Sequence, residues 1–288
     1  MELGNSEERG DVEDRRGSKK PLAIGGGIGA IVIALIAGYF GIDPKVAQQV
    51  VVGVGGGGET PGTGKADGYK DFSEKILGST DSVWKDQFKK NVYKNHRGAY
   101  EPPKMVLFSN SVDSGGCGVA PSAVGPFYCP ASRKVFLDPT FFDELETKLG
   151  GSKAEFSQAY VIGHEVGHHV QHLLGYDITD EYRRLDGEKN GGIRPELQAD
   201  YLAGVWAHHA RDKLKINEND IASALKTAKA IGDNRIQEKM RGKSWPESFT
   251  HGSDAQRLKY FKLGYDTGDA SESALNRFFD KRVKPLDL

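Results

Sequence analysis

Four of the chain's eight histidines fall inside one short stretch, VIGHEVGHHVQHLLG, residues 161–175. Within it His164, Glu165 and His168 spell H-E-x-x-H. On an α-helix, positions i and i+4 lie above one another on one face. Two imidazoles so placed can reach a single tetrahedral Zn2+ at about 2.0–2.1 Å. Glu165, one step round the helix, can address a water on that ion, an arrangement suited to metal-assisted hydrolysis. Phe156, Tyr160, Val170, Leu173 and Leu174 supply apolar residues to hold this helix in a core. An unpaired histidine or glutamate there would be costly.

An open metal site needs a third protein ligand. RPELQADYLAGVWAHHARDKL, residues 194–214, offers Pro195 for a first helical position and Glu196 and Asp200 four apart on one face. Glu196 has the longer reach and is assigned as the third ligand. Metal-bound histidines usually donate their other N–H to a carboxylate or carbonyl, so Asp200 is assigned to orient His164. His251, in FTHGS, precedes a helix start. It either stabilises an oxyanion or fixes a loop. Arg257, one turn further on, pairs with an acid near the site or with the surface. His169, His172, His208 and His209 read as packing or surface residues, and His96 has no pattern around it.

Taken together, HEVGHHVQ, PELQADYLAGVWA, FTHGSDAQR and CGVAPSAVGPFYCPASRKVFLDPTFFDEL resemble the bacterial neutral zinc metallopeptidase family. The resemblance runs over nearly the whole chain from about residue 70 and extends to the apolar segment in front. Its layout is similar to a minimal gluzincin, which implies Zn2+ as cofactor, Glu196 as third ligand and peptide or protein as substrate. Tyr201 stands where the resemblance leads one to expect a cysteine, outside the ligand set. The mechanism expected has Glu165 as general base, taking the water's proton and delivering it to the leaving amine. RKVFLD is expected to be an edge strand on which an extended peptide lies, with the GPFYC turn as one wall of the cleft.

The elements needed to position these residues can be outlined. TDSVWKDQFKKNVYKN (80–95) has helical spacing, KMVLFS (104–109) and RKVFLD (133–138) read as strands, and Asp138 caps a short helix through PTFFDELETKL. Further helices are expected at about 153–174, 195–214, 218–231 and 254–264, the last with a Ser253/Gln256 capping box. The fold class is α+β, mostly helical: a zincin-like domain with a small sheet, preceded by one transmembrane helix. Cys117 and Cys129 are the only cysteines. A disulfide closing this short loop, worth about 3 kcal/mol for a loop of such length, is preferred over a two-ligand metal clip.

The formal net charge of -1 argues against a nucleic-acid partner. Residues 1–20 are polar and expected to be a disordered cytoplasmic tail. Residues 21–42 carry no charge and are long enough to cross a hydrocarbon core of ~30 Å. They end in bulky GYFGIDP rather than a small-residue cleavage site, so an uncleaved anchor in the bilayer is expected. Arg15, Arg16, Lys19 and Lys20 in front of it place the N-terminus in the cytoplasm and the domain outside, as a single-pass protein of the bacterial cytoplasmic membrane. Gly26, Ala30, Ala34 and Gly38 suggest weak helix–helix self-association. Residues 43–69 read as a flexible glycine-rich linker and 70–288 as the catalytic domain. Two other functions fit the residues: a tethered binding or scaffold module whose zinc is structural or lost, and a zinc hydrolase acting on cell-wall amides.

Overall fold

The computed structural model describes residues 1–4, 8–17, 67–94, 96, 98–176, 184–187 and 190–288. Its helices are α1 (Tyr69–Lys90), α2 (Phe141–Glu144), α3 (Glu155–Leu174), α4 (Ile193–Ala210), α5 (Glu218–Ala230), α6 (Asp233–Arg241), α7 (Asp254–Thr267) and α8 (Glu272–Asn276). α3 buries Phe156, Tyr160, Val166, Val170 and Leu174, which follow four-residue steps broken by one gap of six and so lie on one side of the helix. It stops at Gly175, whose φ of 74° suits a residue without a side chain. α7 starts at Ser253 with the capping box foreseen from Gln256. α1 begins eleven residues before the expected 80, because its buried face already includes Ser73, Ile76 and Leu77. α6 was not expected; its sequence DNRIQEKMR is too polar to show an apolar stripe.

Helices α3, α4 and α7 pack unusually closely, and glycines permit it. A methyl group on Gly167 of α3 would lie 3.0 Å from the Ala199 carbonyl oxygen of α4. On Gly204 of α4 it would lie 2.1 Å from the Phe261 oxygen of α7. The three backbones therefore approach to direct contact, which brings side chains on their facing sides within hydrogen-bond reach.

The strands are β1 (Val12–Asp14), β2 (Lys104–Leu107), β3 (Ser111–Asp113), β4 (Val119–Pro121), β5 (Phe127–Cys129) and β6 (Lys134–Leu137). A four-stranded sheet runs β1-β2-β6-β5, and β3-β4 form a separate antiparallel pair. β1–β2 and β2–β6 are parallel; β5–β6 is antiparallel. β6 is thus an interior strand, not the expected edge. Its Val135, Phe136 and Leu137 are all buried, as a strand covered on both faces requires. The outer strand beside α3 is β5, the FYC of the GPFYC turn, tied by the Cys117–Cys129 disulfide (Cα–Cα 5.9 Å).

The membrane expectation is corrected. Among the described residues no helix is long and apolar enough to cross a membrane. The 21–42 stretch, with its small-residue stripe, and most of the 43–69 linker lie outside the described residues. The described flanks argue against a single crossing between them. Val12 of β1 pairs with Met105 of β2, and one crossing would put those partners on opposite sides of a bilayer. A transmembrane helix, bilayer contact and single-pass placement are therefore not supported. The expectation of a disordered 1–20 also changes, since residues 12–14 form a strand and Val12 enters the core. A lone polar strand gives little apolar signal; its order comes from an edge supplied by residues almost a hundred positions later.

α1 reaches the rest of the domain through a buried polar chain. Tyr100 donates to the Asp81 carboxylate (3.3 Å), and its ring meets the His169 ring edge-on at 5.8 Å. Burial pushes the Asp81 pKa up to about 7, against the pull of Lys85 and the Tyr100 hydroxyl. The folded state therefore holds this proton more tightly than the unfolded chain. Stability from Asp81 is full below about pH 4, the unfolded pKa, and is lost as pH rises through about 7. Asp81→Asn should match the parent's thermal midpoint near pH 4 and exceed it near pH 8. Equal shifts in melts at the two pH values would contradict this.

Candidate metal centre

H-E-x-x-H lies in the middle of α3, and E-x-x-x-D opens α4. His164, His168 and Glu196 each offer a ligand atom, and these atoms all lie within 4.8 Å of one another. The two imidazoles are aimed by their far nitrogens. His164 Nδ1 lies 2.9 Å from Asp200 Oδ1, and His168 Nδ1 lies 2.9 Å from the Gln171 amide oxygen. Nδ1–H donating in each case leaves Nε2 to face Glu196, at 3.2 Å for His164 and 3.5 Å for His168. Gln171 is itself fixed, donating from Nε2 to the Pro195 carbonyl at 2.6 Å. Glu165 is buried beside them.

Asp200 has no exposed surface and accepts from three more donors: Tyr160 Oη (2.5 Å), Arg257 Nε (2.8 Å) and Arg257 Nη2 (3.0 Å). Burial alone would raise its pKa, but Arg257 and His164 outweigh it and hold it at about 2. Burial would lower the His164 pKa, but Asp200 and Glu196 bring it up to about 10. Glu196 is held well below the usual carboxylate range, since His251, His168 and His164 overcome its burial. Glu165 shifts the other way: burial raises it, and the two histidines only partly offset this. The Asp200 and Glu196 carboxylates thus stand against the guanidinium of Arg257. A divalent ion would balance that charge, and two nitrogens with one carboxylate oxygen are donors that suit zinc.

The structure also brings His251 to this cluster. Its Nε2 lies 3.8 Å from Glu196 Oε1. Its loop is gripped by Asp233 at the start of α6, whose Oδ2 accepts from the backbone N–H of Thr250 (2.6 Å), His251 (2.7 Å) and Gly252 (3.0 Å). Arg257 pairs with the acid near the site. The remaining histidines stay outside. His169 is buried; its Nε2 faces the Glu101 carbonyl (2.6 Å), its Nδ1 the Tyr128 hydroxyl (3.0 Å), and burial lowers it to about 4. This pins β5 to α3. The His172 ring lies 6.2 Å from that of Tyr128, and the His96 ring meets Phe88 at 5.0 Å. His208 and His209 bond the Tyr265 and Gly268 carbonyls.

Sequence reasoning missed Gln171, Tyr160 and Asp233. The first two left a signal: Tyr160 is four residues before His164 and Gln171 three after His168, both on the ligand face. Asp233 left none, being 18 residues from the loop it grips.

An H-E-x-x-H helix facing a glutamate on a second helix, with each imidazole anchored from behind, places the domain among metal-site proteins of the zinc peptidase type. The chain belongs to the family whose model is described as "Putative neutral zinc metallopeptidase", which matches residues 1–275. It is 37% identical over 289 residues to "Uncharacterized protein YpfJ" of Escherichia coli, covering 92% of this chain and 95% of that protein. It is 43% identical over 201 residues to "Uncharacterized protein Rv2575" of Mycobacterium tuberculosis, covering 66% of this chain and 65% of that one. No solved structure matches.

If the three donors form one site, Glu196→Ala should lose most bound zinc, since it removes one of three ligands. Asp200→Asn and Gln171→Ala should retain zinc with affinity lowered about 10–100-fold, the usual effect of removing a partner behind a ligand. Zinc content after dialysis against graded chelator measures all three. Full retention by Glu196→Ala would refute the assignment.

Proposed function

We propose that this chain is a zinc-dependent peptidase in which His164, His168 and Glu196 hold the ion and Glu165 is the general base. The observation that carries this reading is the convergence of the three donors beside a buried carboxyl whose proton affinity is raised. When bound, Zn2+ supplies Lewis acidity, making a water acidic and polarising a carbonyl. The rest falls to side chains of the chain. Glu165 lies next to the ligands in an environment that favours its neutral form, so it accepts a proton from the attacking water and releases it to the leaving amine. Asp200, held by Arg257 and Tyr160, keeps the His164 ring oriented, and Gln171 does the same for His168. His251 sits at the edge of the cluster on the loop clamped by Asp233, and serves as a hydrogen-bond donor to the oxygen that gains charge. β5 is the outer strand beside α3 and offers backbone groups to an extended peptide.

Among the described residues His251 bears most directly on the rival of a closed, structural site, because a fourth protein ligand would leave no place for water. Among the described residues the donors that lie within 4.8 Å of one another are His164, His168 and Glu196, and His251 is not one of them. This supports an open position.

Glu165→Gln should keep its zinc and lose peptide hydrolysis. His251→Ala should also keep its zinc while kcat falls about 10²–10³-fold, the usual cost of one lost oxyanion donor. Zinc analysis and a peptide-library cleavage assay on both variants decide it. Loss of zinc from His251→Ala would make His251 a ligand and the site closed; full activity in Glu165→Gln would remove the base.

A further inference from the structure

Residues 8–17 are bound to the domain by their own contacts. Val12 is buried in the core, and β1 pairs Val12, Glu13 and Asp14 with Met105, Val106 and Leu107. The ladder is extended on both sides, Met105 N–H donating to the Asp11 carbonyl (2.9 Å) and Arg15 N–H to Leu107 (2.8 Å), while Gly10 N–H donates to the Glu74 carbonyl of α1 (2.8 Å). Helix α1 is notched to admit the segment. A methyl group on Gly78 would lie 2.6 Å from the Glu8 carbonyl carbon, and one on Gly10 would lie 2.5 Å from the Leu77 side chain. Charged residues line the rim: Lys104 pairs with Asp11 (2.7 Å), Lys213 with Glu8 (2.6 Å) and Arg9 with Asp71 and Glu74. Arg16 binds Asp14 and Asp67 at 2.6 Å each, so the chain on either side of residues 18–66 is held at one place.

We propose that the groove between helix α1 and the edge of β2 opposite β6 is a strand-docking site. It takes an extended peptide with one buried β-branched residue followed by two acidic and then two basic residues. In this protein the occupant is the chain's own residues 8–16. Strand addition satisfies the β2 edge, which would otherwise present unpaired N–H and C=O groups. The backbone ladder and the burial of Val12 carry the binding; the rim pairs, mostly exposed, add little. Docking by these contacts does not depend on the intervening chain. It also requires residues 8–17 and the domain to share one compartment.

The test uses the full chain with a protease recognition sequence inserted between Gly62 and Thr63. The protein is cut in detergent, so that the uncharged 21–42 stretch cannot by itself hold the pieces together. On size exclusion the N-terminal piece should co-elute with the domain in a one-to-one complex. In Val12→Asp and Gly78→Leu the pieces should separate after cutting. Separation of the unaltered pieces would overturn the proposal, as would co-elution in Val12→Asp or a complex of two copies of each piece. Should both variants fail to fold, hydrogen exchange on the uncut, unaltered protein decides: the Gly10, Arg15 and Met105 amides should exchange at least about 100-fold slower than an unstructured chain. Exchange at the unstructured rate would defeat it.

Discussion

The Asp200 carboxylate is the joint on which this domain turns. It stands on α4, accepts from His164 and Tyr160 on α3, and receives both arms of Arg257 on α7. A charge with no exposed surface is costly unless its oxygens are filled by donors, and removing one partner of such a group costs more than the pair is worth. Three helices are therefore held in one register by one side chain. That register sets where His164 points, and thereby the place the three candidate donors offer a metal ion.

Backbone contact makes this possible. A side chain as short as aspartate cannot reach across two helix–helix interfaces at ordinary separation. Gly167 lets α3 close on α4, and Gly204 lets α4 close on α7. Gln171 works on the same principle at the other end of the cluster, orienting His168 with its oxygen and holding the α4 start with its nitrogen. The cluster that results carries more carboxylate than guanidinium charge. Its carboxylates make the His164 imidazole basic, and the histidines in turn make Glu196 acidic; the imbalance is one that a dication would relieve.

The sheet connects this centre to both ends of the sequence. β5 is fastened to α3 through Tyr128 and His169 and to the β3–β4 region through the disulfide. β6 is enclosed between β5 and β2, and β1 closes the far side. The domain accordingly includes residues from before position 18. A unit drawn from 70 onward on composition alone leaves out a strand of its own sheet.

The residues of the candidate metal cluster were legible in the sequence because helices repeat. His164, Glu165 and His168, and Glu196 with Asp200, lie within single turns, where spacing dictates which side chains share a face. The helix starts marked by Ser253 and the stop at Gly175 were legible for the same local reason. The disulfide followed from there being only two cysteines. What spacing cannot carry is which helix meets which. That Asp200 also takes Arg257, that Asp233 grips the His251 loop, and that β6 lies inside the sheet depend on contacts between distant residues. The polar VED stretch reads as unstructured alone and becomes a strand only when β2 offers it an edge. The apolar run at 21–42 has the length of a membrane span, yet the pairing of Val12 with Met105 argues against a single crossing between them. Local periodicity determined the elements and their chemical faces; tertiary packing decided their partners, because hydrogen bonds and ion pairs between helices and strands are made by proximity in space and leave no period in the chain.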